Sequence, residues 1–98
     1  MGIEEINELW IPVTERLPED FAEVLVTWKN TNPASYYKKI KDVPFANPAV
    51  FYEGSWYWWS DNVTALLKEF GRRIMPIDAD IEVTAWMPMP KPWKGEES

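Results

Sequence analysis

The chain has 98 residues with a formal net charge of −6, and 46% of the residues are hydrophobic. This length and composition predict one small globular domain and exclude a disordered chain. The chain has no cysteine and no histidine, which removes disulfides, thiolate catalysis and the commonest general base and metal ligand. No apolar run approaches the roughly 20 residues that cross a bilayer. The acidic start Met1–Glu5 is unlike an export signal, so we expect a cytoplasmic protein.

The negative charge is concentrated near the start of the chain. Residues 1–23 carry one base, Arg16, against seven acids, which are Glu4, Glu5, Glu8, Glu15, Glu19, Asp20 and Glu23. The rest of the chain is neutral overall, but four lysines fall between residues 29 and 41 with no acid among them. Nucleic-acid binding needs phosphate neutralisation, which an acidic chain supplies poorly. We therefore expect no nucleic-acid partner.

The first third of the chain predicts a short helix, an extended segment and a strand. Apolar residues recur at helical spacing near the start, and Pro12 disfavours helix for the residue before it. A run rich in β-branched residues follows a turn-rich connection. The predicted elements are an N-terminal extension or short helix over 1–9, an extended segment over 10–13, a connection over 15–20 and a strand over 24–28.

A long basic loop is predicted over residues 29–48. Asparagines and prolines punctuate this stretch throughout. At about 20 residues it exceeds the usual length of a connection in a compact domain, which is typical of functional or mobile loops.

Two aromatic runs separated by a short Glu-Gly-Ser turn predict a β-hairpin with strands over 49–52 and 56–59. If the loop has two residues, alternate side chains divide into two aromatic faces. A three-residue loop would break this division. The two faces would be Phe51, Trp56 and Trp58 on one side and Tyr52, Tyr57 and Trp59 on the other.

The last third predicts an amphipathic helix, a strand and a tail. Asp61 suits the N-cap of a helix over 62–70, and Gly71 suits its end. The helix carries one apolar stripe, formed by Val63, Leu66, Leu67 and Phe70. Alternation over 82–86 indicates a half-buried strand, and 91–98 is a tail.

These elements predict a single α+β domain over residues 1–98. Short alternating runs and a tight hairpin favour antiparallel pairing. The expected architecture is a small antiparallel sheet of about four strands, with one packed helix and a long basic loop.

Two end motifs and the hairpin resemble a known family. The first motif is Trp10–Val13 followed by Arg16–Pro18, and the second is Trp86–Pro90. With the central Phe51–Tyr57 hairpin, the chain resembles the family catalogued as domain of unknown function 551, whose members are small proteins typical of bacteriophages and prophages. Met89 stands where the family usually has Leu. The resemblance implies a compact fold and a phage or prophage origin, and it brings no catalytic residues.

Each pattern that could indicate catalysis or metal binding lacks a necessary part. Asp78, Asp80 and Glu82 alternate, but a calcium loop would need Gly where Val83 stands and Glu where Met89 stands. The serines lack a histidine partner. A glycosidase pair of carboxylates needs a cleft that a domain this small does not favour. We therefore expect no metal, no cofactor and no enzymatic activity.

Seven tryptophans in 98 residues exceed what so small a core can fully bury. Trp10 and Trp86 border proline-punctuated segments and are predicted to be structural, together with Arg16, Pro18 and Pro88. For the other tryptophans two interpretations stay open. Either large rings cover the edges of a thin core, or some of them form a binding surface.

The expected function is non-catalytic binding to a protein of the host or phage. The predicted contact surface has a rim on the basic loop and an aromatic centre on the hairpin. Its residues are Tyr36, Tyr37, Lys38 and Lys39 for the rim and Tyr57 and Trp59 for the centre. In a competing account the loop is inert and the two centre residues lie under the helix. Two other functions stay open: a small-ligand binder with an aromatic cleft, and an acidic nucleic-acid mimic that blocks a host DNA-binding enzyme.

Overall fold

A computed structural model describes residues 9–89, where five strands form one antiparallel sheet with one α-helix on it. The strands are β1 (Ile11–Pro12), β2 (Glu23–Asn30), β3 (Phe45–Tyr52), β4 (Ser55–Trp58) and β5 (Ile81–Pro88). The helix α1 is Val63–Phe70, and short 3-10 helices are Ser35–Ile40 and Gly71–Arg73. The α+β class is confirmed, with one strand more than the predicted four. The predicted extension over 1–9, apart from Leu9, and the tail over 91–98 lie outside the described residues.

The strand order across the sheet is β1-β5-β2-β3-β4. The last strand of the chain, β5, therefore lies between β1 and β2 and is antiparallel to both. Its pairing with β2 runs from Val24–Pro88 to Asn30–Ile81, with a register shift between Thr27 and Trp28. The strand predicted over 82–86 is present and extends further in both directions.

The hairpin between β3 and β4 has a two-residue loop. Tyr52 pairs with Ser55, and the loop residues Glu53 and Gly54 have φ angles of 46° and 83°. Positive φ at both positions is what a type I′ turn requires, and this turn matches the twist of a hairpin. The predicted division into two faces is confirmed within the paired strands, because Phe51 pairs with Trp56 on one side and Tyr57 pairs with Val50 on the other. It is wrong for Trp59, which follows the last residue of β4 and lines the same pocket as Trp58.

Replacing Glu53 by Asn is expected to stabilise the protein by about 0.5–1 kcal/mol, because Asn tolerates positive φ far better than Glu. The Glu53 carboxylate also pairs with Arg72 at 3.3 Å, so the substitution is best compared in an Arg72→Ala background that lacks this pair in both proteins. Urea unfolding gives the free energies. A lower unfolding midpoint for the Asn protein in that background would contradict the prediction.

The two faces of the sheet carry separate clusters. On what we call the apolar face, a buried cluster forms from Val24, Val26, Ala49, Val83 and Trp86. On what we call the helix face, Val63 and Leu67 of α1 pack against Val50 and Tyr57. The strands β3 and β4 contribute to both clusters by alternation, so the order of residues along these two strands decides which rings meet the helix.

The helix α1 begins at Val63, one residue later than the predicted range, and ends at Phe70, with Gly71 at its C-cap as predicted. The predicted N-cap Asp61 is wrong: the cap position is held by Asn62, whose side chain makes no capping bond. The Asn62 amide oxygen instead accepts a hydrogen bond from Ser60 Oγ at 3.2 Å. Gly71 takes a φ of 56°, which favours glycine at the end of a helix.

The predicted loop over 29–48 is wrong at both ends, since β2 continues to Asn30 and β3 begins at Phe45. Pro48 is compatible with β3 because β4 ends opposite it. Its carbonyl accepts a hydrogen bond from the Trp59 N–H at 3.2 Å. The N–H that proline lacks would point to the same side, where the ladder between β3 and β4 has already ended. The connection that remains, residues 31–44, holds the 3-10 helix.

The segment between the second 3-10 helix and β5 passes around the outer edge of β4. Ile74 packs in the cluster of the helix face, whereas Ile77 and Ala79 line a small pocket with Trp56 and Val83 on the apolar face. Midway, the Ile77 N–H donates to the Trp56 carbonyl at 2.8 Å. The segment therefore covers part of an otherwise open strand edge.

Candidate functional site

An open cleft lies on the apolar face, at the end of the sheet where β2 finishes and β3 begins. Its volume is about 440 Å³, within the range of roughly 300–1,000 Å³ that ligand sites show. Half of its lining residues are tryptophans. The aromatic cleft, as we call it, is lined by Trp28, Asn47, Pro48, Trp58, Trp59 and Ile81.

The sheet holds the wall of this cleft in place. Trp28 of β2 and Trp58 of β4 meet with ring centroids 5.3 Å apart at an interplanar angle of 67°. Phe45 of β3 stacks on Trp28 at 5.0 Å. The Trp28 Nε1 donates a hydrogen bond to Asn47 Oδ1 at 2.9 Å. Because contacts and a hydrogen bond fix the Trp28 ring, the cleft is preformed rather than created by a ligand.

The rings around the cleft are unusually accessible for their size. Trp58 is 37% exposed, Trp59 40% and Phe45 38%. Neighbouring exposed aromatic rings mark interaction sites more often than isolated ones, because water contact with a continuous apolar patch is unfavourable. The cleft therefore offers apolar surface that a bound group could cover.

Several polar side chains of the cleft can donate hydrogen bonds. Among residues 9–89, the indole N–H groups of Trp58 and Trp59 donate to no protein acceptor. The Asn47 oxygen already accepts from Trp28, which leaves the Asn47 amide nitrogen as a further donor. No lining residue is charged. The side chains of the cleft thus offer apolar contact and uncharged polar groups.

The predicted rim residues lie on the first 3-10 helix and are exposed. Tyr36 is 80% exposed and Tyr37 58%, with ring centroids 4.5 Å apart; Lys38 and Lys39 follow them and are also exposed. The connection that holds them leaves β2 two residues after Trp28 and returns at Phe45. The rim therefore belongs to the same end of the sheet as the aromatic cleft.

The predicted centre is divided between the two faces of the molecule. Trp59 lines the aromatic cleft, but Tyr57 is 5% exposed and packs under α1 with Leu67. The prediction that Tyr57 lies on an open aromatic face is wrong. Its strand position pairs it with Val50, whose side the helix covers. The competing account thus holds for Tyr57 and fails for Trp59.

Sequence reasoning missed Trp28, Trp58, Asn47 and Phe45. Alternation places Trp58 on the same face as Phe51 and Trp56 without showing that it lines a cleft; it lies at the end of β4 and is 37% exposed. Asn47 and Phe45 fell inside the predicted loop, so their pairing with β2 was not expected. A strand extended back to residue 45 would have placed Phe45 opposite Trp28.

The residues predicted to be structural gather at the other end of the sheet. Trp86 is 5% exposed; its Nε1 donates to the Arg16 carbonyl at 2.9 Å, and the Arg16 guanidinium lies 5.2 Å from the ring centroid. Pro18 and Pro88 line a neighbouring pocket with Trp86, and Trp10 is half-buried just before β1. These contacts tie the connection before β2 to the sheet.

The alternating acids before and in β5 are engaged locally. The Asp78 carboxylate accepts a hydrogen bond from the Asp80 N–H at 3.1 Å, and Glu82 pairs with Lys29 at 3.7 Å. Between residues 9 and 89, no three acidic, histidine or cysteine side chains converge as metal ligands would. None of the helices in that part of the chain combines the length and apolar character needed to cross a membrane.

Comparison with known proteins identifies a family without an assigned activity. No curated protein and no solved structure matches the chain. A family model described as "Protein of unknown function (DUF551)" matches residues 9–94. This range contains all five strands, the helix and the aromatic cleft. The chain therefore belongs to the DUF551 family.

Proposed function

We propose that the protein is a phage- or prophage-type accessory protein of the bacterial cytoplasm that acts by non-catalytic binding, with the aromatic cleft holding a protein partner. The observation that carries this proposal is the exposure of Trp58 and Trp59, two consecutive tryptophans that line an open cleft. Tryptophan is enriched among the residues that dominate binding energy at protein interfaces. The preformed wall of the cleft also favours binding, because few side chains need to be ordered when a partner binds.

A protein partner is favoured over a small ligand by what surrounds the cleft. The exposed rings of Tyr36 and Tyr37 and two lysines lie on the connection between β2 and β3, the strands that carry Trp28 and Asn47 of the cleft. Aromatic centres with polar rims are the usual anatomy of a protein interface. A small ligand would use the cleft alone and leave this rim without a role.

We expect Trp59→Ala to reduce partner recovery by at least about tenfold, because truncation of a central aromatic anchor costs most of the affinity it supports. The tagged protein would be used to capture proteins from a bacterial lysate, with quantification of each captured protein by mass spectrometry. Met75→Ala is the matched control, since Met75 is 86% exposed and does not line the cleft. It should capture the same proteins as the parent.

Two results would contradict the proposal. One is equal capture by the parent and by a Trp59→Ala protein that unfolds at the parent's temperature. The other is a thermal-shift screen in which a sugar or nucleotide stabilises the parent but not the Trp59→Ala protein. The second result would establish the small-ligand alternative at the same cleft.

A further inference from the structure

We infer that a second pocket, between the end of β5 and the connection before β2, is the binding site for the chain's own segment 91–94, with Trp93 as its anchor. Trp93 itself lies outside the described residues. The pocket, the direction of the chain towards it and the charges on both sides point to this contact. The site is separate from the aromatic cleft and stands independently of the proposed function.

The motif-end pocket, as we call it, has a volume of about 420 Å³. It lies where β2 begins, whereas the aromatic cleft lies where β2 finishes. Both end motifs of the sequence contribute to its apolar lining, which includes Leu17, Pro18, Val24, Trp86 and Pro88. Leu17 is 50% exposed, so residues 9–89 leave part of this apolar surface uncovered.

The chain leaves β5 beside this pocket. Val24 pairs with Pro88 and the two strands are antiparallel, so the chain after Pro88 heads towards Ala22 and Glu19, which line the same pocket. Trp93 stands five residues after Pro88, a distance of at most about 18 Å in an extended chain. The ring can therefore reach the pocket while every described strand keeps its place.

The charges of the segment and of the pocket are complementary. Trp93 is flanked by Lys91 and Lys94, whereas Glu19 and Glu23 belong to the lining. Within residues 9–89 neither glutamate forms an ion pair. A tryptophan between two lysines thus matches an apolar pocket with two carboxylates at its border.

The pocket also contains one base, Arg16. Its guanidinium lies 5.2 Å from the centroid of the Trp86 ring, where the electrons of the ring stabilise the positive charge. The carboxylates of the lining are therefore left for the lysines of the segment.

The family match includes the segment. It runs to residue 94, six residues beyond the end of β5 at Pro88, so residues 89–94 are part of the matched domain. Pro90 and Pro92 restrict this stretch before it binds, which lowers the entropic cost of ordering it.

The test measures the exposure of one introduced thiol, because the chain has no cysteine. Leu17→Cys places the thiol in the lining. Its rate of labelling by iodoacetamide should rise at least about fivefold when Trp93→Ala is added, since labelling requires the ring to leave the pocket. Met75→Cys is the matched control, because Met75 is 86% exposed and does not line the pocket; its rate should be the same with and without Trp93→Ala. Equal rates for Leu17→Cys in both backgrounds would overturn the inference.

A charge variant keeps the test valid if the Trp93→Ala protein does not fold. Replacing both Lys91 and Lys94 by Glu should raise the labelling rate of Leu17→Cys by about two- to fivefold at low ionic strength, since two attractions become repulsions. Replacing both Lys38 and Lys39 by Glu makes the same change in net charge at the other end of the sheet and should leave the rate unchanged. Equal rates for the two double variants would overturn the inference.

A thiol in the aromatic cleft distinguishes the two pockets. If Trp93 occupied the aromatic cleft, Trp93→Ala would speed the labelling of Asn47→Cys and leave that of Leu17→Cys unchanged. This result would overturn the inference, because Asn47 lines the aromatic cleft and Leu17 the motif-end pocket. We expect the opposite pattern, with faster labelling at Leu17→Cys alone.

Discussion

Replacing Trp86 by alanine is expected to destabilise the protein by about 3–5 kcal/mol, the range for truncating a large buried aromatic ring. Trp86 is 5% exposed and belongs to the cluster on the apolar face with Val24 and Val26. Its truncation would open a cavity there and leave the Arg16 carbonyl without its 2.9 Å hydrogen bond. Urea unfolding followed by circular dichroism gives the change in the free energy of unfolding.

Two comparisons sharpen this prediction. Trp86→Phe keeps most of the apolar volume and should cost less than the alanine substitution, since it loses mainly the bond to Arg16. Trp10→Ala should also cost less, because Trp10 is only half-buried just before β1. If the Trp86→Ala protein unfolds at the parent's urea concentration, Trp86 is not the anchor that its contacts indicate.

The second large effect is expected from Leu67→Ala, which should cost about 2–5 kcal/mol. Leu67 is completely buried where α1 meets the sheet, in contact with the cluster that contains Val50 and Tyr57. A helix of eight residues is too short to be stable alone, so its packing on the sheet is what maintains it. The Leu67→Ala protein should therefore lose its helical circular dichroism signal more readily on heating, and its free energy of unfolding should be lower.

Phe70→Ala is the matched control on the same helix. Phe70 belongs to the apolar stripe predicted from the sequence but is 41% exposed, so its truncation creates no closed cavity and should cost well under half as much. Similar losses for the two variants would mean that the buried contact of Leu67 does not dominate helix docking.

The sheet and the helix could be predicted from the sequence because each depends on a local pattern. The β-branched run before Trp28 and the alternation of apolar and polar residues in β5 each indicate a strand with one side buried. The Glu53-Gly54 pair reports a tight turn by itself. The Val63–Phe70 stripe reports a helix with one apolar face. None of these inferences needs knowledge of a distant residue.

The aromatic cleft could not be predicted because it depends on distant pairing. Both faces of the hairpin are aromatic. The alternation of side chains along β4 puts Tyr57 and Trp58 on opposite faces, but it does not show which face the helix covers. Packing decides: the helix settles over Val50 and Tyr57, which leaves Trp58 to the other face. Likewise, Asn47 and Pro48 are typical of a loop, and only their pairing with Val26 and Leu25 of β2 shows that they belong to a strand.

The position of β5 inside the sheet bears on how the protein folds during its synthesis. The pairings of β2 with β3 and of β3 with β4 join neighbours in the chain and can form as soon as these segments leave the ribosome. The strand β1 has β5 as its partner, so it waits for the C-terminal part of the chain. Val24 and Val26 stay uncovered until Trp86 arrives. We therefore expect the apolar-face core to close late, once residue 88 has left the ribosome, and until then the chain exposes the apolar residues of this face.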